Sequence, residues 1–194
     1  MPVFTILALI AYSLSLGLIV PSLVQKNSAY RRLALVSAVV ALVCHAIALK
    51  HQIFDVGGGQ NLTLLNIGSI VGLMICTIMT IVASQGRGWF LLPIVYSFAM
   101  INLALASLLP GEFITHLEAS PTIFVHIGLA LFAYATLIIA ALYALQLAWL
   151  DYQLKNKKLT FNSDMPPLMF IERKMCHITQ FGVVLLTLML CTVL

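Results

Sequence analysis

Charge is what this sequence has least of. Asp, Glu, Lys and Arg make up 8% of its 194 residues, against a hydrophobic content of 62% and a mean hydropathy of +1.08. Soluble domains carry about a quarter charged residues, so that class is excluded. Cysteine is also sparse: Cys44, Cys76, Cys176 and Cys191 show no CxxC spacing, which removes a thioredoxin-like redox motif and a disulfide framework. There is no HExxH, and no GK[ST] follows Gly57, Gly58 and Gly59, which read as a flexible turn. No nucleophile stands beside a base in a pattern that argues for a self-contained enzyme, so a non-enzymatic protein is expected. Acidic and basic residues are missing from the interior of every apolar run. Ion-coupled carriers keep such groups within the membrane, so that reading loses ground, although an apolar cargo would need none.

What is present is a series of six apolar runs: Val3 to Val24, Leu33 to Leu49, Leu64 to Ser84, Trp89 to Leu109, Pro121 to Leu150 and His177 to Leu194. Each is long enough, or nearly so, for a helix rising about 1.5 Å per residue to cross a hydrocarbon core of about 30 Å. The expected fold is an all-α polytopic transmembrane bundle of six spans, a single integral membrane domain over residues 1–194. The first run lacks a basic leading region and a small-residue cleavage site, so it reads as a retained helix. Nine of the ten Lys and Arg residues lie in the odd-numbered gaps: Lys26, Arg31, Arg32, Arg87, Lys155, Lys157, Lys158, Arg173 and Lys174. The even gaps hold only Lys50, with Asp55, Glu112 and Glu118. Basic residues stay on the cytoplasmic side during insertion, which places the N-terminus outside and the even gaps on the outer face. The same bias accounts for the net charge of +4, leaving membrane lipid as a partner and nucleic acid as none. The polar segment from Asp151 to Lys174, broken by Pro166 and Pro167, reads as a cytoplasmic connector at the headgroups. Gly68 and Gly72 read as a close helix contact, Trp89 and Trp149 as interfacial anchors, and Asn61-Leu62-Thr63 as a weak sequon.

Histidine is unevenly placed. In the expected orientation His45 and His126 reach similar depths near the outer surface, each about 7 Å inside a helix end. Asn66 and Asn102 lie at comparable levels, and His51 and His116 fall in the outer gaps; His177 is at the opposite face. Two imidazoles from facing helices suit the axial positions of a haem, whose propionates would reach Lys50, His51 or water. Zinc more often shows three closely placed ligands. A histidine near a helix end also serves as an interhelical hydrogen-bonding residue, and loop histidines are commonly solvated.

The fifth run reads PTIFVHIGLALFAYATLIIAALYALQLAWL, with His126, Ala130 and Tyr134 on one helical stripe. This resembles the histidine-bearing helix of the cytochrome c assembly family, the CcsA, CcmC and HemX-like membrane proteins. MFIERKMCHITQFGVVLLTLMLCTVL resembles that family's amphipathic approach and following helix, and CHAIAL around His45 with NLTLLNIGSIVGLMICTIMTIVAS is most similar to one inner-membrane subgroup. The resemblance implies a haem-binding protein of cytochrome c assembly, multi-pass in the cell inner membrane. It would present haem at the outer, periplasmic face, with other cytochrome c maturation proteins as partners. It implies His126 as the first external ligand to haem iron and His45 as a membrane-embedded one; His116 and His51 are further cofactor-binding candidates at the site mouth. The family's tryptophan-rich external motif and second external histidine would follow Leu194, so further C-terminal helices are expected beyond it. The alternatives are a carrier for a hydrophobic small molecule, whose histidines bond the cargo, and a structural membrane subunit, whose histidines bridge helices.

Overall fold

A computed structural model describes residues 2–25, 28–55, 58–86, 88–109, 111–116, 121–156 and 168–192. Lys26, Gly57, Arg87, Glu118, Lys157, Lys158, Pro166, Pro167 and Leu194 lie outside the described residues. The elements are α1 (Pro2–Gln25), α2 (Ser28–Phe54), β1 (Gln60–Asn61), α3 (Leu64–Ser84), α4 (Leu92–Leu108), β2 (Ile114–Thr115), α5 (Pro121–Lys155) and α6 (Leu168–Cys191). The protein is all-α and polytopic: every helix but α4 is long and apolar enough to cross a membrane. The 17 residues of α4 give about 26 Å, slightly under the hydrocarbon thickness. The chain divides into two compact units, residues 1–124 and 125–194.

In the first unit α1 packs on α2 and α4, and α3 packs on the same two, closing a four-helix bundle. The sequence reason is a stripe of small and polar side chains at helical spacing. Thr5, Ala8, Tyr12, Ser15, Ile19 and Ser22 are buried along α1; Ala34, Ala38, Ala41, His45 and Ala48 are buried along α2. Small residues let backbones approach where lipid offers no hydrophobic drive to association. Outward positions such as Ile6, Ile10, Val36, Val40 and Val43 are exposed, as lipid-facing residues are. Between α3 and α4, a Cβ on Gly72 would stand 3.5 Å from the Ala99 Cα and one on Gly68 2.9 Å from the Asn102 Oδ1. The GxxxG therefore serves a contact inside the bundle.

Local chemistry sets the ends of α3. Thr63 caps its start, its side-chain oxygen accepting from the Asn66 N–H at 3.3 Å. At its other end Gly86 adopts φ +78° and its N–H reaches the Ala83 carbonyl at 2.9 Å, the left-handed stop that glycine favours. Trp89 also donates its indole N–H to the Ala83 carbonyl at 3.0 Å and is buried, with Arg31 5.4 Å above its ring. It closes the turn between α3 and α4; Trp149 is more exposed.

β1 and β2 pair antiparallel, Gln60 opposite Thr115 and Asn61 opposite Ile114, joining the α2–α3 and α4–α5 connections on one side of the bundle. Asn61 holds the joint, donating to the Gly111 carbonyl at 2.9 Å and accepting from the Phe113 N–H at 3.0 Å. Its carbonyl accepts from Asn66 Nδ2 at 2.9 Å. Asn61 is thus a buried structural residue rather than an open glycosylation acceptor, and Asn66 belongs to the same joint. Gly59 departs from the flexible-turn expectation: a Cβ there would lie 2.6 Å from Ile114 Cγ2 and 2.8 Å from the Thr115 carbonyl oxygen.

In the second unit α5 and α6 run antiparallel. Phe132 meets Phe181 edge-on at 6.3 Å, and Gly182 leaves room for Leu137 and Thr136. His126, a turn and a half into α5, meets Met189 and Thr192 at the end of α6.

Candidate functional site

His45 and His126 stand in different environments. His45 is fully buried in the first unit, and both ring nitrogens are used. Nδ1 is 3.0 Å from the Tyr12 hydroxyl and Nε2 is 2.9 Å from the Ser69 hydroxyl. An uncharged imidazole has one donor and one acceptor, and each hydroxyl supplies either role, so the ring is satisfied. Tyr12 continues the network edge-on to His45 and 5.7 Å from the Tyr96 ring. The Tyr96 and Thr80 hydroxyls are 2.7 Å apart, and Thr80 donates to the Cys76 carbonyl at 2.6 Å. These groups tie α1, α2, α3 and α4 together at mid-bundle. To ligate iron, His45 would have to give up one of its two bonds.

His51 lies in the last turn of α2 rather than in a loop. Its Nδ1 bonds the carboxylate of Asp55, one turn later, and its ring stacks on Phe4 at 6.0 Å. A carboxylate only accepts, so Nδ1 is the donor of this pair. At 24% relative exposure the ring is partly open. His116 is exposed immediately after β2, with its Cε1 3.3 Å from where a Gly59 Cβ would be. His45, His51 and His116 thus belong to the first unit, and Asn102 turns its amide back to the Phe98 carbonyl at 3.0 Å.

His126 is part-buried in the second unit. Its Nδ1 is 2.9 Å from Thr192 Oγ1 and 3.1 Å from the Met189 carbonyl oxygen. The carbonyl only accepts. Thr192 commits its hydroxyl proton to that same carbonyl at 2.6 Å, so it too can only accept from the ring. Both partners require a proton on Nδ1, which leaves the lone pair on Nε2; no described residue hydrogen-bonds that nitrogen. Ligating histidines characteristically have this arrangement, one ring N–H donated to a carbonyl and the other nitrogen presented to the metal. A neutral His126 is therefore chemically able to offer Nε2 to a metal such as haem iron. The stripe from His126 divides: Tyr134 is 50% exposed and takes no part in these bonds. His177 is exposed on α6, in its third turn.

Sequence reasoning did not find Tyr12, Ser69, Thr192 or Met189. Tyr12 and Ser69 look like ordinary helix residues in sequence and become partners of His45 only when three helices meet. The His51–Asp55 pair was missed because the apolar run ends at Leu49; their spacing of four is the signal that could have found it once the helix continues to Phe54. Among the described residues no group of three or more His, Cys, Asp or Glu side chains is placed to hold a metal ion.

A family model described as cytochrome c assembly protein matches residues 33–192. Inner membrane protein YpjD of Escherichia coli strain K12 is 74% identical over 193 residues, covering 99% of this chain and 73% of that protein. The proteins of the same name from strains O6:H1 and O157:H7 match to the same extent. No solved structure matches.

Proposed function

Since this chain belongs to the cytochrome c assembly protein family and is a multi-pass protein of the inner membrane, we propose that it binds haem and handles it without enzymatic chemistry of its own. Bound there, haem supplies a ligand-binding iron and a large apolar macrocycle. The observation that carries this reading is the pairing of His126 Nδ1 with the Met189 carbonyl and the Thr192 hydroxyl, two acceptors that direct the proton of a neutral ring to Nδ1 and its lone pair to Nε2. His126 is the leading ligand. The Nδ1 of His51 is likewise held, by Asp55, His116 is exposed after β2, and His45 is a ligand only at the expense of a bond to Tyr12 or Ser69. In the orientation set by the basic residues, the His126 end of α5 faces the outside, so haem is presented at the periplasmic face to other cytochrome c maturation proteins.

A structural role bridging helices is favoured for His45, both of whose ring nitrogens are bonded; His126 also joins two helices, but through one nitrogen only. The absorption spectrum of the protein purified in detergent with added haem tests the proposal. A stoichiometric Soret band of imidazole-ligated haem is expected. A carrier of some other apolar molecule, or a scaffold, gives no such band, and that result would refute haem binding.

A further inference from the structure

We propose that Thr192 is a positioning residue for His126: it fixes the ring proton on Nδ1 and so reserves Nε2 for iron. The inference rests on the haem-handling reading for its consequence, but its geometry stands on the second unit alone. Thr192 Oγ1 is 2.9 Å from His126 Nδ1 and 2.6 Å from the Met189 carbonyl oxygen. A hydroxyl has one proton. A short bond to a carbonyl three residues back, in the final turn of α6, holds that proton away from His126, so Thr192 presents oxygen lone pairs to the ring. The Met189 carbonyl, 3.1 Å from the same Nδ1, is the second acceptor, and the ring N–H is shared between them. Turning the hydroxyl proton toward an unprotonated Nδ1 would break its bond to Met189 and leave the Nδ1 lone pair facing that carbonyl oxygen at 3.1 Å. The helix terminus therefore selects one tautomer. Donation to two acceptors also increases electron density on the ring, making Nε2 a stronger donor to a metal. Neither Thr192 nor Met189 touches the ligand position; both act through the ring.

The test uses the whole protein in detergent with 15N-labelled histidine. Without haem, the wild type shows His126 in the Nδ1–H form alone. Thr192→Val removes the shorter acceptor while keeping the shape of the side chain, and a population of the Nε2–H form appears; Thr192→Ser restores the wild-type pattern. With haem, Thr192→Val weakens binding on the order of 10-fold or more, the effect typical of losing a group that orients a ligand, and Thr192→Ser does not. An unchanged Nδ1–H form in Thr192→Val would overturn the positioning role, since the Met189 carbonyl would then suffice. If the tautomer shifts as expected while wild type and Thr192→Val alike fail to bind haem, the positioning of His126 stands and the haem reading falls.

Discussion

At the scale of single residues, the two inward-facing histidines carry opposite kinds of information. His45 is a knot: its removal leaves the Tyr12 and Ser69 hydroxyls buried without the imidazole between them. His45→Ala is expected to destabilise the protein by about 1–3 kcal/mol, the cost of orphaning a buried polar group. Tyr12→Phe should act in the same direction through one lost bond. Denaturant unfolding in mixed micelles reads both; a His45→Ala protein as stable as wild type but stripped of haem would make His45 a ligand and not a clamp. His45 lies nine residues before the end of α2 rather than the roughly five the apolar run implied, and its partners were hidden because hydroxyls on helix faces carry no mark of what they will meet. At His126 the helix was legible, while the ring's partners came from a helix end more than sixty positions away.

At the scale of elements, hydropathy reports the lipid-embedded part of a helix, not the helix. The reading of Leu64–Ser84 coincides with α3 because Thr63 and Gly86 stop the helix where its apolar run stops. α6 instead begins at Leu168, ahead of the apolar run from His177, since Glu172, Arg173 and Lys174 are as compatible with helical backbone as with charged surroundings. α2 likewise extends past Leu49 to Phe54, carrying Lys50 and His51. The β1–β2 joint was invisible, because two-residue strands leave no periodicity. Gln60→Cys with Thr115→Cys, in a background lacking the native cysteines, should crosslink readily in membranes, since directly opposed side chains have Cβ atoms about 5 Å apart. Adding Gly59→Ala should suppress the crosslink and cost about 1–3 kcal/mol by forcing Ile114 and the Thr115 backbone away. Efficient crosslinking in the alanine variant would show that the loops meet by some other geometry.

At the scale of the whole molecule, composition was sufficient to read an all-α multi-pass protein, because lipid permits few other solutions for a chain this apolar. The β1–β2 pairing adds that the second and fourth connections share a side of the first unit, as alternate crossings require. The direction rests on the basic residues. Reporter fusions should place Lys157 in the cytoplasm and Glu118 outside; a cytoplasmic Glu118 would reverse the orientation and move the His126 end of α5 to the inner face. What composition could not give was the division into two units, with His45, His51 and His116 in one and His126 in the other.

Haem binding by His126 is the central claim, and the haem-difference spectrum of His126→Ala beside wild type tests it most directly. One imidazole contributes little to the partition that holds the helices in lipid, so the variant should insert normally and lose the Soret band, and added imidazole should restore part of it by supplying the missing nitrogen. Equal haem occupancy in the two proteins would contradict the account and leave His126 as a residue that joins α5 to α6.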